Sequence, residues 1–451
     1  MQGMDLHGKK VVVLGVGKTG LATARFLAGR GVRIAITDAK PVSAWGEART
    51  TLENLQAELT VAPYGPAILT GADWVVPSPG IYPANPILVE AVRRGIPVLS
   101  ELELASRFLT TPIVAITGTN GKTTVTSLTG EIFRAAGKKV FVGGNIGAPL
   151  IGYVDGRQEA DWAVVEVSSF QLQWAQTFHP RVAVLLNVTT DHIDYHGSFA
   201  AYREVKERAF AHQTARDLAI LNADEEATTF LRGRLSARTE LFSSSGAVDC
   251  GMFLSGEKLV HLLPAGEKEE YPLAMIHLPG RHNCENVMAA ILAARACGCE
   301  PPAIIRAVEG FRGIAHRIQY AGEKNGILFY DDSKGTNVGA VMRALESFSQ
   351  PVVLLLGGRD KEGDFQPLAP LIRRGVKEMV LFGEAREKIN GLLGGVVRTT
   401  LTATLKKAVE TAYRSASPGD VVLLSPGCAS FDEFENYKER GNCFQEWVGQ
   451  L

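Results

Sequence analysis

The sequence predicts an α/β fold divided into three domains, and three observations predict it. Apolar runs of four to six residues recur along the chain, each followed by turn residues and then a helical pattern. The runs are nearly continuous in Val, Ile and Leu, as strands covered on both faces of a parallel sheet require. At 451 residues and 46% hydrophobic, the chain is too long for one ordinary core yet apolar enough to give each of two or three domains its own.

The first domain is expected over residues 1–102. Its strands are "KVVVLG", "RIAITD" and "DWVVPSPG". Gly15, Gly17 and Gly20 follow the first strand and open a helix, and Asp38 closes the second strand. This is the G-x-G-x-x-G pattern of a Rossmann-like turn, in which glycines let a diphosphate approach a helix N-terminus. Asp38 stands where it can meet a ribose or base. The pattern by itself suits NAD as well as any other diphosphate.

The second domain is expected over 103–312, where a helix end and a linker with Pro112 lead into the first strand of "PIVAITG". That strand runs into Gly118, Thr119, Asn120, Gly121, Lys122, Thr123 and Thr124, and a helix follows directly. Backbone N–H groups at such a helix start cradle phosphate. Lys122 can reach the terminal phosphates, and the Thr123 hydroxyl can sit on magnesium. The usual G-x-x-x-x-G-K-[ST] motif would place glycine where this chain has Ile116, so the loop is a shorter variant.

Glu166 interrupts the apolar run "DWAVVEVSS" at its C-terminal end. A carboxylate there must pair with a cation or bind a metal. The next run, "RVAVLLNV", leads to His192 on the same ligand edge. Beyond it, Phe199, Tyr202, Lys206 and Phe210 recur at helical spacing on one face. A lysine on that apolar face either snorkels to water or is desolvated, with a lowered pKa. A neutral amine of the second kind can capture carbon dioxide as a carbamate. Periodicity alone favours snorkelling. "LAILNAD" supplies one more strand, and 239–280, with "TELFSSS", "CGMFLSG", "KLVHLLP" and "MIHLPG", reads as a small antiparallel appendage.

The third domain is expected over 313–451, after the Gly-rich "GFRGIAHRIQ". Its strands are "GILFYDDS", "PVVLLLGG", "EMVLFG" and "DVVLLSPG".

A formal net charge of −1 gives no electrostatic footprint for nucleic acid. No apolar run approaches the roughly 18 residues of a membrane span, and the N-terminus lacks the apolar core of a secretory signal. The six cysteines form no C-x-x-C pair or zinc spacing. A cytoplasmic protein with reduced thiols is expected.

Taken in order, "GVGKTG", "SPGI", "ITGTNGKTT", "GGNIG", "EVSSFQL", "NVTTDHIDYH", "GRHNCEN", "HR", "DDSKGTN", "GGRDKEGDF" and "LSPGCASFDEF" cover nearly the whole chain. In this set the sequence resembles the Mur ligases, ATP-dependent amide-forming enzymes of peptidoglycan synthesis. The resemblance implies an N-terminal Rossmann-like domain for a UDP-sugar, a central P-loop-type ATPase domain and a C-terminal Rossmann-like domain for an amino acid. It implies UDP-N-acetylmuramoyl-L-alanine and D-glutamate as substrates, with ATP and two Mg²⁺ ions, in a monomer. By the same resemblance Gly15, Lys18, Thr19, Asp38, Ser78, Gly80 and Asn145 receive the UDP-sugar. Residues 118–124, Asn283, Asn286, Arg317 and Asp332 receive ATP. Thr123, Glu166, His192 and a carbamylated Lys206 serve the metals, with Lys122, His192 and Lys206 as the catalytic set. Lys334, Thr336, Lys361, Ser430 and Phe431 form the D-glutamate pocket; for Ser430 taken alone, a helix cap is the plainer reading.

Within the family, the enzymes that add alanine, diaminopimelate or lysine remain open, although "DDSKGTN" and "SPGCASFDEF" look like the D-glutamate enzyme. Three rivals from outside it are open at this level. An NAD-dependent dehydrogenase accounts for Gly15 to Asp38 but not for the central loop, Glu166 or Lys206. A folylpolyglutamate synthase shares the ATP loop but lacks a separate first domain. A non-enzymatic nucleotide-binding protein has no need of the metal set.

Overall fold

The computed structural model describes residues 4–61, 65–189, 191–263, 266–360 and 363–451. The chain forms two compact units, Met1–Ile276 with Cys284–Gly310, and His277–Asn283 with Phe311–Leu451.

The first unit holds two sheets. One is the all-parallel sheet of β1 (Lys10–Leu14), β2 (Arg33–Asp38), β3 (Glu58–Val61) and β4 (Trp74–Pro77), in the order β3-β2-β1-β4. The other has nine strands: β5 (Ile113–Thr117), β6 (Val140–Gly144), β7 (Trp162–Glu166), β8 (Val182–Leu185), β9 (Leu218–Asn222), β10 (Arg238–Ser243), β11 (Gly251–Ser255), β12 (Lys258–Leu262) and β13 (Lys268–Pro272). Their order is β13-β12-β11-β10-β9-β8-β5-β7-β6. Strand β5 lies between β8 and β7, with every residue buried, which puts its C-terminal loop at the middle of the sheet edge.

The region 239–280 differs in part from the sequence reading. Strand β10 pairs in parallel with β9, and β11 in parallel with β10; only β11-β12-β13 run antiparallel. The strands therefore extend the central sheet. The "MIHLPG" run is no strand: Leu273–Met275 is a single 3-10 turn, and the last strand is the polar "KEEYP" before it.

One apolar cluster joins the two sheets of this unit. Val11, Phe26 and Ile36 of the first sheet belong to it, and so do Ala115, Val165 and Leu185 of the second. The helix Glu101–Ser106 links the sheets and contributes Leu102, Leu104 and Ala105 to this core.

The second unit is built on a six-stranded sheet. Its strands are β14 (Gln319–Lys324), β15 (Ile327–Asp331), β16 (Val352–Gly357), β17 (Val376–Phe382), β18 (Arg398–Leu401) and β19 (Val421–Gly427), ordered β14-β15-β19-β16-β17-β18. Only β14 is antiparallel to its neighbour. Both faces are covered, one by Val341, Leu354, Phe365 and Ile372, the other by Phe329, Leu405, Val409 and Phe444. Among the described residues no helix is long and apolar enough to cross a membrane.

Candidate active site

The central loop follows from its glycines and from one asparagine. Gly121 ends it in the left-handed region, at φ 83°, and is the N-cap of the helix Lys122–Ala135 with no side-chain cap. A helix start without a side-chain cap is the arrangement that suits an anion. A Cβ on Gly121 would collide with the Asn286 side-chain oxygen, so the loop and the helix Arg281–Ala296 meet closely here. Asn187, just beyond β8, clamps the loop. Its Oδ1 accepts from the Asn120 N–H at 2.8 Å, its Nδ2 donates to the Asn120 carbonyl at 3.2 Å, and its own carbonyl takes the Thr119 N–H at 2.9 Å.

Two lysines converge on this loop. Lys122 Nζ donates to the carbonyls of Gly118 and Thr119 at 3.0 and 2.9 Å. Lys206 Nζ donates to the same Gly118 carbonyl at 2.7 Å and lies over the Tyr202 ring. The helix Phe199–Glu207 carries Tyr202 and Lys206 on its buried face, each 1% exposed, whereas Phe199 at its start is exposed. Snorkelling is thus excluded: this lysine ends inside the protein. Burial first, then the neighbouring Lys122 charge, holds its pKa well below the ordinary lysine value. A lowered pKa makes an amine more readily a nucleophile.

Glu166 ends β7 directly beside Ile116 of β5. One carboxylate oxygen accepts from Asn145 Nδ2 at 2.8 Å. The other is buried with no hydrogen-bond partner, and among the described residues no cation pairs with Glu166. An orphaned, buried carboxylate oxygen at the end of β7 is what a divalent cation would satisfy, so Glu166 fits magnesium. His192 stands further out. It is half-exposed, caps the short helix Ile193–His196 with φ 51°, and packs on Phe170. Among the described residues no cluster of three or more His, Cys, Asp or Glu side chains forms a ready metal site.

In the first sheet the glycine loop has the geometry its pattern requires. A Cβ on Gly20 would overlap the Gly15 carbonyl, and one on Gly15 would meet the Ser78 side chain. Gly17 caps the helix Lys18–Ala28 without a side-chain bond, leaving the N–H groups of Lys18 and Thr19 at its start. Asp38 braces the loop, accepting the Val16 N–H at 2.8 Å and the Lys40 N–H at 2.9 Å. Lys18 reaches across to the Gly147 carbonyl. Gly80 turns back with φ 91°.

In the second unit the residues after β15 and β19 gather at one sheet edge. Asp332 accepts from Ser425 Oγ at 2.7 Å and from the Ile318 N–H at 3.3 Å. Burial pushes its carboxyl up to about 7 against the pull of Ser425 and Arg317. The Lys334 N–H binds the His316 carbonyl, and the Thr336 N–H binds the Lys334 carbonyl, so Arg317, Lys334 and Thr336 share one turn system. Ser430 is buried in the turn after β19, and Phe431 beside it is exposed. Asn283 is buried and donates to the Pro279 carbonyl. Lys361 lies outside the described residues.

Sequence reasoning missed Asn187, which holds the loop before the helix Lys122–Ala135. Its one signal was its position just past an apolar run, where parallel strands present ligand-edge residues.

Comparison with known proteins follows the same three-part division. Residues 9–100 match the family described as Mur ligase MurD-like, N-terminal domain; 116–294 match the Mur ligase middle domain; and 316–428 match the Mur ligase glutamate ligase domain. The chain is 57% identical over 446 residues to the UDP-N-acetylmuramoylalanine–D-glutamate ligase of Syntrophus aciditrophicus, covering 99% of this chain and 98% of that one. It is 44% identical to the protein of the same name from Geobacter metallireducens, with 99% of each covered. Among solved structures, the UDP-N-acetylmuramate-alanine ligase of Thermotoga maritima aligns with a TM-score of 0.58 at 18% identity, covering 98% of this chain and 99% of that one. A pseudomurein peptide ligase type C from Methanothermus fervidus aligns at 0.57 and 17% identity, covering 98% and 100%. These two share the fold. With all three domains matched in order along its length, the chain belongs to the Mur ligase family.

Proposed function

We propose that this protein is the ATP-dependent ligase that joins D-glutamate to UDP-N-acetylmuramoyl-L-alanine, a cytoplasmic step of peptidoglycan precursor synthesis, working as a monomer. The substrates are those named for the whole-length relative at 57% identity. The observation that carries the chemistry is the meeting, at one sheet edge, of an uncapped helix start, Lys122, the buried Lys206 and the orphaned oxygen of Glu166.

In this reading the alanyl carboxylate of the UDP-sugar attacks the γ-phosphate of ATP, forming an acyl phosphate and ADP. The neutral amine of D-glutamate then attacks the acyl carbon, a C–N bond forms, phosphate leaves, and the amine sheds a proton. The first step brings anions together, and the backbone N–H groups at the start of the helix Lys122–Ala135 with the Lys122 ammonium hold the phosphates against that repulsion. Asn283, Asn286, Arg317 and Asp332 orient the rest of the nucleotide. Two magnesium ions, when bound through Thr123, Glu166, His192 and Lys206, supply further positive charge to the transferring phosphoryl group. Lys206 joins that set as a carbamate, formed when its neutral amine adds carbon dioxide and releases a proton. The Gly15–Gly20 loop, Lys18, Thr19, Asp38, Ser78, Gly80 and Asn145 hold the UDP-sugar. Its diphosphate replaces the NAD the glycine pattern also allowed. Lys334, Thr336, Lys361, Ser430 and Phe431 receive D-glutamate, two lysines and two hydroxyls answering its two carboxylates.

The test is phosphate release from ATP with UDP-N-acetylmuramoyl-L-alanine and, in turn, D-glutamate, L-glutamate, L-alanine and diamino acids. Release with D-glutamate alone is expected. Release only with another amino acid refutes the substrate assignment.

A further inference from the structure

The helix Glu101–Ser106 joins the two sheets of the first unit, and its Glu101 is 1% exposed. One carboxyl oxygen accepts the Ile151 N–H at 2.7 Å. The other has no well-formed hydrogen bond, although the Gln171 side chain and the Leu150 N–H lie close to the carboxyl. Burial pushes the group up to about 7, against the pull of the Ile151 N–H, Gln171 and the Leu150 N–H. A leucine would serve this core better than a buried acid with one oxygen short of a well-formed hydrogen bond.

The partner explains why the acid is there. Ile151 lies in the first turn of the helix Leu150–Val154, whose N-cap is Pro149 and which has no side-chain cap of its own. Its leading N–H groups need an acceptor from elsewhere. Just upstream runs the loop after β6. Its Gly144 N–H closes on the Ala148 carbonyl at 2.8 Å, and its Asn145 N–H binds the Glu166 carbonyl at 2.9 Å. Asn145 Nδ2 binds the Glu166 carboxylate, and the Gly147 carbonyl takes Lys18. The loop is therefore pinned at its start by β7 and at its end by the helix that Glu101 caps from outside.

We propose that Glu101 is a positioning residue for the UDP-sugar site: by capping the helix Leu150–Val154 from the linker, it fixes the loop that presents Asn145 and Gly147. Glu101 touches no reacting atom. Its effect reaches the substrate through the loop. The inference rests on the proposed function, and it deepens the reading of that one site.

The test compares wild type with Glu101→Leu and Glu101→Gln, by steady-state kinetics and by calorimetric binding of UDP-N-acetylmuramoyl-L-alanine. Gln keeps an acceptor for the Ile151 N–H, so its constants should stay within about twofold of wild type. Leu removes the acceptor and should raise both KM and Kd for the UDP-sugar about tenfold, the scale of one lost buried hydrogen bond. The KM for D-glutamate should not move. Should Glu101→Leu fail to fold, Glu101→Asp, too short by a methylene to reach Ile151, is read in the same way. Adding Pro149→Ser, which gives the helix a local cap, should restore binding. Unchanged UDP-sugar constants, equal rises in every KM, a Gln variant as impaired as Leu, or no restoration by Pro149→Ser would each overturn the role. A wild type that releases no phosphate refutes the function itself; an active wild type with flat variants refutes only Glu101.

Discussion

Replacing Lys206 by methionine separates two reasons for burying an amine. Methionine keeps the length and most of the volume of the side chain and deletes the nitrogen. The structure sets the stability terms. Lys206→Met loses one hydrogen bond, to the Gly118 carbonyl at 2.7 Å, with a net contribution of about 0.5–1.5 kcal/mol. It also relieves the burial of an amine that is 1% exposed and lies over the Tyr202 ring, a cost of about 1–3 kcal/mol. The terms nearly cancel, so the apparent melting temperature should move by only a few degrees either way. Turnover should fall on the order of 10²–10³-fold or more, the scale of one lost electrostatic group at a phosphoryl-transfer site. Differential scanning fluorimetry and phosphate release read the two quantities. A carbamate signal from ¹³C-bicarbonate should be seen by NMR in wild type and be missing in the variant. A stable Lys206→Met enzyme with near-wild-type turnover would refute the functional reading. A variant that unfolds would show that the amine is structural.

Lys122→Ala should fold normally and lose about 10²–10³-fold in turnover, because the free helix N-terminus cannot by itself offset the charge brought together at the γ-phosphate; near-wild-type phosphate release would contradict this. Gly20→Ala places a Cβ within the Gly15 carbonyl, and should destabilise the first sheet by about 1–3 kcal/mol and weaken UDP-sugar binding, seen by calorimetry. Asn187→Ala deletes both bonds that clamp Asn120 and should raise the KM for ATP about tenfold while leaving that for D-glutamate alone. Asp332 carries a folded pKa of about 7 against an ordinary 3.8. The unfolded chain releases this proton first, so stability is greatest below about pH 4 from this group, and falls as pH rises to about 7. Its share is on the order of 4 kcal/mol. Asp332→Asn should flatten that slope in urea titrations run across the same pH range.

Which strands were legible follows from where they lie in the sheets. The buried central strands announced themselves as apolar runs: β1, β5, β7, β8, β16 and β19 are all there. The strands without such a run are β3, β6, β13, β14 and β18, and every one of them is a sheet edge. An edge strand has one neighbour and is half covered, so "ELTV", "KEEYP", "QYAGEK" and "RTTL" can be polar and still pair. Backbone pairing alone holds them, and backbone pairing leaves no side-chain signature.

The same division runs through the site. The sequence by itself determined the α/β class, the two glycine loops and the family. Each rests on residue types at short, fixed spacing: a turn needs glycine, and a phosphate cradle needs a helix start with a lysine. Only the tertiary structure decided what distant residues do to one another. It carried Lys206 to the Gly118 carbonyl and out of reach of water, left one Glu166 oxygen without a partner, and brought Asn187 onto Asn120. It also capped an otherwise uncapped helix with Glu101, 50 positions away from Ile151 along the chain. Burial and long-range hydrogen bonds set pKa and position, and neither can be read from spacing along a chain.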